Sequence, residues 1–134
     1  DPFSEKNPII IMTGPLVGTA FPNTGRHEII SRSPLTNLLG ESNSGGHFGY
    51  SLKRSGFDGI VIQGIAEKPS VVYIDDGDVS IADASSLWGL DVYSTQIKVK
   101  ERGEYSVMSI GPACSPCQKG RFQQAFLKGG EGID

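Results

Sequence analysis

Cysteine, histidine and tryptophan are scarce in this 134-residue chain, at two, two and one. Two cysteines cannot build the disulfide framework of a small secreted protein. The histidines, His27 and His47, stand far apart in sequence and make no metal-ligand set between them. Long apolar runs are missing as well. The longest is Ile9-Ile10-Ile11-Met12, far short of the roughly 18 residues of a membrane span, and it fits a buried strand. Neither sign of charge dominates: 12 Lys and Arg stand against 15 Asp and Glu, a net charge of -3. That balance argues against a general nucleic-acid binder, which carries a basic stripe. No secretory leader is visible. The chain begins with Asp1 rather than Met, as a fragment of a longer protein would. The expectation is a cytoplasmic protein with no membrane or nucleic-acid partner.

Glycine is plentiful, at 18 residues, with 8 prolines, and both are spread between apolar runs. This is the composition of a turn-rich globular domain, not of a low-complexity segment. A chain of this length forms one domain and buries about two-thirds of its unfolded surface.

The apolar runs predict strands over 8–13, 27–33, 58–63 and 105–110, and those at 8–13, 58–63 and 105–110 should be buried. Residues 71–75 and 79–82 flank Asp76-Gly77, a strong hairpin signal, and their alternation suits a half-exposed antiparallel pair. Residues 45–55 read as helical, stopped by Gly56. Asp91 is a cap for a second helix to about Arg102, with only a loose apolar face of Val92, Ile97 and Val99. Residues 84–88 form a short turn or helix, and 118–128 a short helix with Phe122, Ala125 and Phe126 on one side. Residues 16–25 form a loop, and 35–39 is ambiguous between elements. The fold class is therefore α+β, antiparallel-rich, with a few covering helices.

One stretch carries chemistry. Gly25-Arg26 is followed by Ser42-Asn43-Ser44-Gly45-Gly46-His47-Phe48-Gly49, a glycine run leading into the expected helix. Glycines allow close approach to the backbone, and the first amides of a helix attract phosphate. Taken alone, such glycines more often make turns.

The surrounding motifs give the stretch more weight. Thr13-Gly14-Pro15-Leu16-Val17-Gly18-Thr19, Gly25-Arg26, Ser33-Pro34-Leu35-Thr36, Asn43-Ser44-Gly45-Gly46, Leu52-Lys53, Gly56-Phe57-Asp58-Gly59, Glu67-Lys68-Pro69, Asp83-Ala84, Leu87-Trp88-Gly89 and Ile110-Gly111-Pro112-Ala113 occur in one order and spacing. In this the chain closely resembles the N-terminal domain of the tungsten-containing aldehyde ferredoxin oxidoreductases. The resemblance runs over 7–113, so that 1–134 would be a single, incomplete pterin-cofactor-binding domain.

The resemblance implies oxidation of aldehydes to carboxylic acids, with electrons passed to ferredoxin. It implies tungsten held by two pterins (tungstopterin), a bridging magnesium ion, and a [4Fe-4S] cluster whose ligands are not in this chain. Partners would be the C-terminal domains of a full-length enzyme, ferredoxin, the aldehyde and, in a homo-oligomer, further copies. Arg26 matches the arginine between pterin and cluster; its planar fork of five donors suits that place. Asn43 matches the asparagine whose backbone helps hold the magnesium, an ion that prefers hard oxygen ligands. Ser44, Gly45 and Gly46 match the adjoining pterin-contacting loop. Arg26 and the 43–46 loop should then lie on one concave face. Lys53 reads equally well as a cofactor neighbour or as an exposed helix lysine, and Trp88 as packing in a short connection. The isolated chain is expected to be inactive.

After Ala113 the resemblance ends abruptly in Cys114-Ser115-Pro116-Cys117. A truncated or altered reading frame would produce that pattern, and the second half of the magnesium and phosphate site would be lost with it. A Cys-x-x-Cys is a redox pair or half a metal site. A thioredoxin-like pair needs a strand-to-helix βαβ setting, and a four-ligand site needs two more ligands. What stands is incidental thiols, or a metal- or partner-binding module sharing Cys114 and Cys117 with another chain. A truncated, non-catalytic remnant is the remaining alternative.

Overall fold

The computed structural model describes residues 1–111 and the strand at 124–128. Cys114 and Cys117 lie outside the described residues, as does the part of the expected 118–128 helix before Gln124.

Two four-stranded sheets make up the architecture. The first takes β1 (Ile9–Thr13), β2 (His27–Arg32), β3 (Leu39–Ser44) and β4 (Gly59–Ile62) in the order β3-β2-β1-β4, all antiparallel. The second takes β5 (Ser70–Asp75), β6 (Asp78–Asp83), β7 (Ser106–Ser109) and β8 (Gln124–Lys128) in the order β6-β5-β8-β7. Helix α1 (Phe48–Arg54) lies between the sheets, and α2 (Val92–Lys100) covers the far side of the second. The α+β class with antiparallel-rich sheets holds.

The core follows from alternation along β5. Val72 and Ile74 join Ile11 of β1 and Phe48 and Leu52 of α1 in one cluster. Val71 faces the other way and joins Ala84, Leu87 and Val99. With both faces covered, β5 reads as a continuous apolar run, Val71-Val72-Tyr73-Ile74. The half-exposed character expected of the hairpin belongs to β6 alone, where Val79 and Ile81 are exposed. The turn is as expected: Asp76 and Gly77 have φ of 44° and 95°, the left-handed pair that a tight two-residue hairpin needs.

Several sequence expectations change. Residues 124–128 form a strand, not part of a helix, and β8 pairs parallel to β5 and antiparallel to β7. Pairing on both sides overrides a short helical period. The strands at 8–13 and 58–63 bury one face rather than both, with Met12 and Val61 exposed, whereas 105–110 packs Met108 against one core cluster and Tyr105 and Val107 against the other, with Ile110 exposed just past the strand. Helix α1 begins at Phe48, later than expected, because Gly46 sits at φ 89° outside helical space. It ends as expected, with Gly56 N–H donating to Lys53 O and Phe57 N–H to Leu52 O, the paired bonds of a glycine-terminated helix. Asp91 caps α2, its Oδ1 accepting from Ser94 N at 2.7 Å. The buried face of that helix is Thr95 and Val99, while Val92 and Ile97 are exposed. Residues 85–87 form a single 3-10 turn, and Trp88 beside it is 39% exposed. Among the described residues, no helix is long and apolar enough to cross a membrane.

Candidate functional site

The β2–β3 register builds the site. His27 lies opposite Ser44 and Glu28 opposite Asn43. Continued two steps, the same register brings Gly25 beside Gly46: a Cβ on Gly25 would lie 3.3 Å from the Gly46 carbonyl. Arg26, Asn43, Ser44, Gly45 and Gly46 therefore gather at one end of the first sheet.

β3 is the element that sequence reading missed. Leu39-Gly40-Glu41-Ser42-Asn43-Ser44 has one large apolar residue and no alternation, so no strand signal shows. It is recruited by its hairpin to β2. Ser33 N–H donates to Leu38 O at 2.8 Å, and Asn37 holds φ 61° at the bend. Asn43 and Ser44 thus belong to a strand, and the turn before α1 is 45–47.

In an antiparallel ladder, hydrogen-bonded and non-hydrogen-bonded pairs alternate. The Ser33–Leu38 bond marks its pair as the bonded kind, so 31/40, 29/42 and 27/44 are bonded and 28/43 is not. The other side of β2 agrees: Arg32 N–H donates to Asn7 Oδ1 and Arg32 O accepts from Asn7 Nδ2, both away from β3. β3 is an edge strand. The main-chain N–H and C=O of Asn43 consequently face the open side of the sheet.

Side chains alternate across the sheet in the same way. Arg26, Glu28 and Asn43 share the outer face. Arg26 Nη1 donates to Asn43 Oδ1, and Asn43 Nδ2 donates to Glu28 Oε1 at 2.6 Å. Glu28 is a site residue that the sequence reading did not single out. Its place two residues after Arg26 on one strand was the available signal, but its partner became visible only with β3.

On the inner face, His27 is 3% exposed, with its ring centroid 5.1 Å from that of Phe48. Its Nδ1 is buried without a hydrogen-bond partner. Burial lowers its pKa from the ordinary value of 6.5, keeping the imidazole neutral. A cleft of about 530 Å³ opens beside Ser44, Gly45 and His47, walled on the far side by Gln96 and Lys100 of α2 and by Tyr105. Among the described residues, no carboxylate lines it. Arg26 and Asn43 are not among its described lining residues; they meet the Gly45-Gly46 turn at the sheet end beside it.

The two glycines differ. Gly46 needs its conformation, at φ 89°. Gly45 has nothing among the described residues within 4 Å of where a Cβ would stand, so they leave its backbone open to an approaching group. α1 has only seven residues, so its dipole adds little at this turn. Lys53 does not reach the site: its Nζ pairs with Asp58, and its stem packs over Gly18. Among the described residues, no three His, Cys, Asp or Glu side chains converge as a metal cage.

A sequence model of the aldehyde ferredoxin oxidoreductase N-terminal domain matches residues 1–119. The chain is 47% identical over 116 residues to the tungsten-containing aldehyde ferredoxin oxidoreductase of Pyrococcus furiosus, a match covering 84% of this chain and 19% of that protein. It is 46% identical to the enzyme of the same name from Pyrococcus horikoshii, again over 84% and 19%. Among solved structures, the active-site complex BamBC of benzoyl coenzyme A reductase, in complex with 1,5-dienoyl-CoA, superposes with a TM-score of 0.89. That match covers 99% of this chain and 24% of the other at 24% identity, and so speaks for the fold alone. The chain spans about one fifth of the length of the curated relatives it matches. With most of its length matched to that domain, the chain belongs to the aldehyde ferredoxin oxidoreductase family, as the family's N-terminal domain.

Proposed function

We propose that the end of the first sheet seats a tungsten cofactor of the pterin type, as part of an enzyme that oxidises aldehydes to carboxylic acids. The observation that carries this reading is the meeting of three features at one strand end. They are a guanidinium tethered beside an open glycine turn, main-chain amides free of any side chain at Gly45, and the Asn43 carbonyl on the open sheet edge.

The residues present fit the group. Arg26 offers the edge of its fork not committed to Asn43 to ring nitrogens and oxygens. The Gly45 and Gly46 amides suit phosphate or pterin oxygens, and Ser44 adjoins them. The Asn43 carbonyl, a hard oxygen donor, would be the group that holds magnesium. When bound, the cofactor supplies the redox chemistry that turns an aldehyde into a carboxylic acid, its electrons leaving through a [4Fe-4S] cluster to ferredoxin. A [4Fe-4S] cluster takes four thiolates and this chain has two cysteines, so cluster ligands must come from outside it. Substrate choice rests with the longer protein.

The test is metal content. The holoprotein carrying this chain should hold tungsten and magnesium, and Arg26→Ala should lose tungsten on gel filtration. Holoprotein that contains neither metal, or that keeps tungsten fully in Arg26→Ala and in Gly45→Val, refutes the reading.

A further inference from the structure

We propose that Glu28 and the side-chain amide of Asn43 form a positioning relay that fixes the Arg26 guanidinium toward the bound cofactor. Asn43 then serves the site twice, through its main-chain carbonyl and, separately, through its amide. The inference rests on the cofactor reading above.

The relay follows from the register. Glu28 and Asn43 face each other in a non-hydrogen-bonded pair, where opposed side chains come closest. Arg26, two residues before Glu28, is the diagonal neighbour of Asn43, within reach of a long side chain. The amide has one workable orientation. Arginine only donates and a carboxylate only accepts. A flipped Asn43 would set donor against donor at Arg26 and acceptor against acceptor at Glu28. The order guanidinium, amide, carboxylate also aligns the amide dipole between opposite charges, so each bond strengthens the next.

Among the described residues, Arg26 and Glu28 make no direct ion pair; the one that is present joins Lys53 and Asp58. The amide spacer matters for that reason. A carboxylate gripping the fork directly would occupy the donors that a ligand needs. Through Asn43 it restrains one Nη and leaves the remaining donors free. An untethered arginine loses rotamer freedom when a ligand fixes it, and a fork held beforehand spares part of that cost.

The experiment compares Asn43→Ala, Glu28→Ala, Glu28→Gln and Arg26→Ala in the holoprotein, reading the rate of tungsten loss. The Arg26 Nε–H signal in NMR spectra of the apoprotein is the second readout. Asn43→Ala leaves the main-chain carbonyl in place. It should speed tungsten loss roughly two- to tenfold, the worth of one hydrogen bond, and should broaden the Arg26 signal. Glu28→Ala should do the same, even if Asn43→Ala folds poorly. Glu28→Gln keeps an acceptor oxygen and should restore most of both readouts. If Asn43→Ala and Glu28→Ala retain tungsten like the parent while Arg26→Ala loses it, the relay is wrong and the cofactor reading survives. If Arg26→Ala also retains it, the relay fails, and if Gly45→Val retains it as well, the cofactor reading fails with it.

Discussion

His27 lies against Phe48, ring centroids 5.1 Å apart at 47°. One residue opens β2 and the other opens α1, so their contact fastens the two chain segments that bracket the site. Arg26 precedes the first and the Gly45-Gly46 turn precedes the second. The cost is a buried imidazole whose Nδ1 has no partner.

That cost predicts a pH dependence. Burial lowers the folded-state pKa of His27 below its ordinary 6.5. Between the two values the unfolded chain binds a proton that the folded chain does not, so stability falls as pH falls below about 6.5. Above that pH the imidazole is neutral in both states and adds no slope. Urea titrations from pH 7.5 to 4.5 should show the decline, and His27→Leu should flatten it. Asp91 and Asp83 act in a separate, lower window. Hydrogen bonds from Ser94 and Ser85 lower their pKa values below 3.8. Their contribution is present above that value and is lost as pH falls through the folded pKa. An unchanged slope in His27→Leu would mean that another group titrates.

The two site glycines should separate folding from binding. Gly46 at φ 89° cannot take a β-branched side chain without strain, and Gly46→Val should cost about 1–2 kcal/mol or more. Gly45→Val meets nothing within 4 Å among the described residues, so stability should change by no more than about 0.5 kcal/mol. Its effect should appear as lost tungsten. Chemical denaturation gives the first comparison and metal analysis the second. Equal destabilisation by both would show that Gly45 is also a backbone requirement.

The core between the sheets should be sensitive at its centre. Leu52 is fully buried against residues of both sheets. Leu52→Ala should cost about 2–5 kcal/mol through lost burial and the cavity left behind. Ile81→Ala on the exposed edge strand β6 should cost far less. Matched urea curves decide, and equal losses would contradict the core as described.

Local chemistry made part of this fold legible. Asp76-Gly77 set its own turn, Asp91 its own cap, and Gly56 its own stop. What stayed hidden depends on partners distant in sequence. β3 has no apolar period and exists because β2 offers it an edge. β8 has a short apolar pattern compatible with either element, and its place between β5 and β7 decides the matter. Likewise, Arg26 and 43–46 were identified through family motifs and not through any periodicity. Glu28 required the register of a strand with no signal of its own.

The arginine itself gives the sharpest expectation. Arg26→Lys keeps the positive charge but replaces a planar fork by one ammonium. A single Nζ can satisfy Asn43 Oδ1 or reach a bound cofactor, but it cannot hold the two-edged geometry. Arg26 is exposed in this chain and contributes no buried apolar surface to either core cluster. The fold should therefore tolerate the change, with a melting temperature within a few degrees of the parent. Under the proposed function, transfer of electrons out of the cofactor should suffer more, by about 10- to 100-fold, the range that one charged hydrogen bond commands. Stopped-flow reduction of the cluster after mixing holoprotein with aldehyde measures that rate. Calorimetry on the same sample measures stability. A large drop in melting temperature with an unaltered rate per folded molecule would make Arg26 a structural residue and remove it from the site.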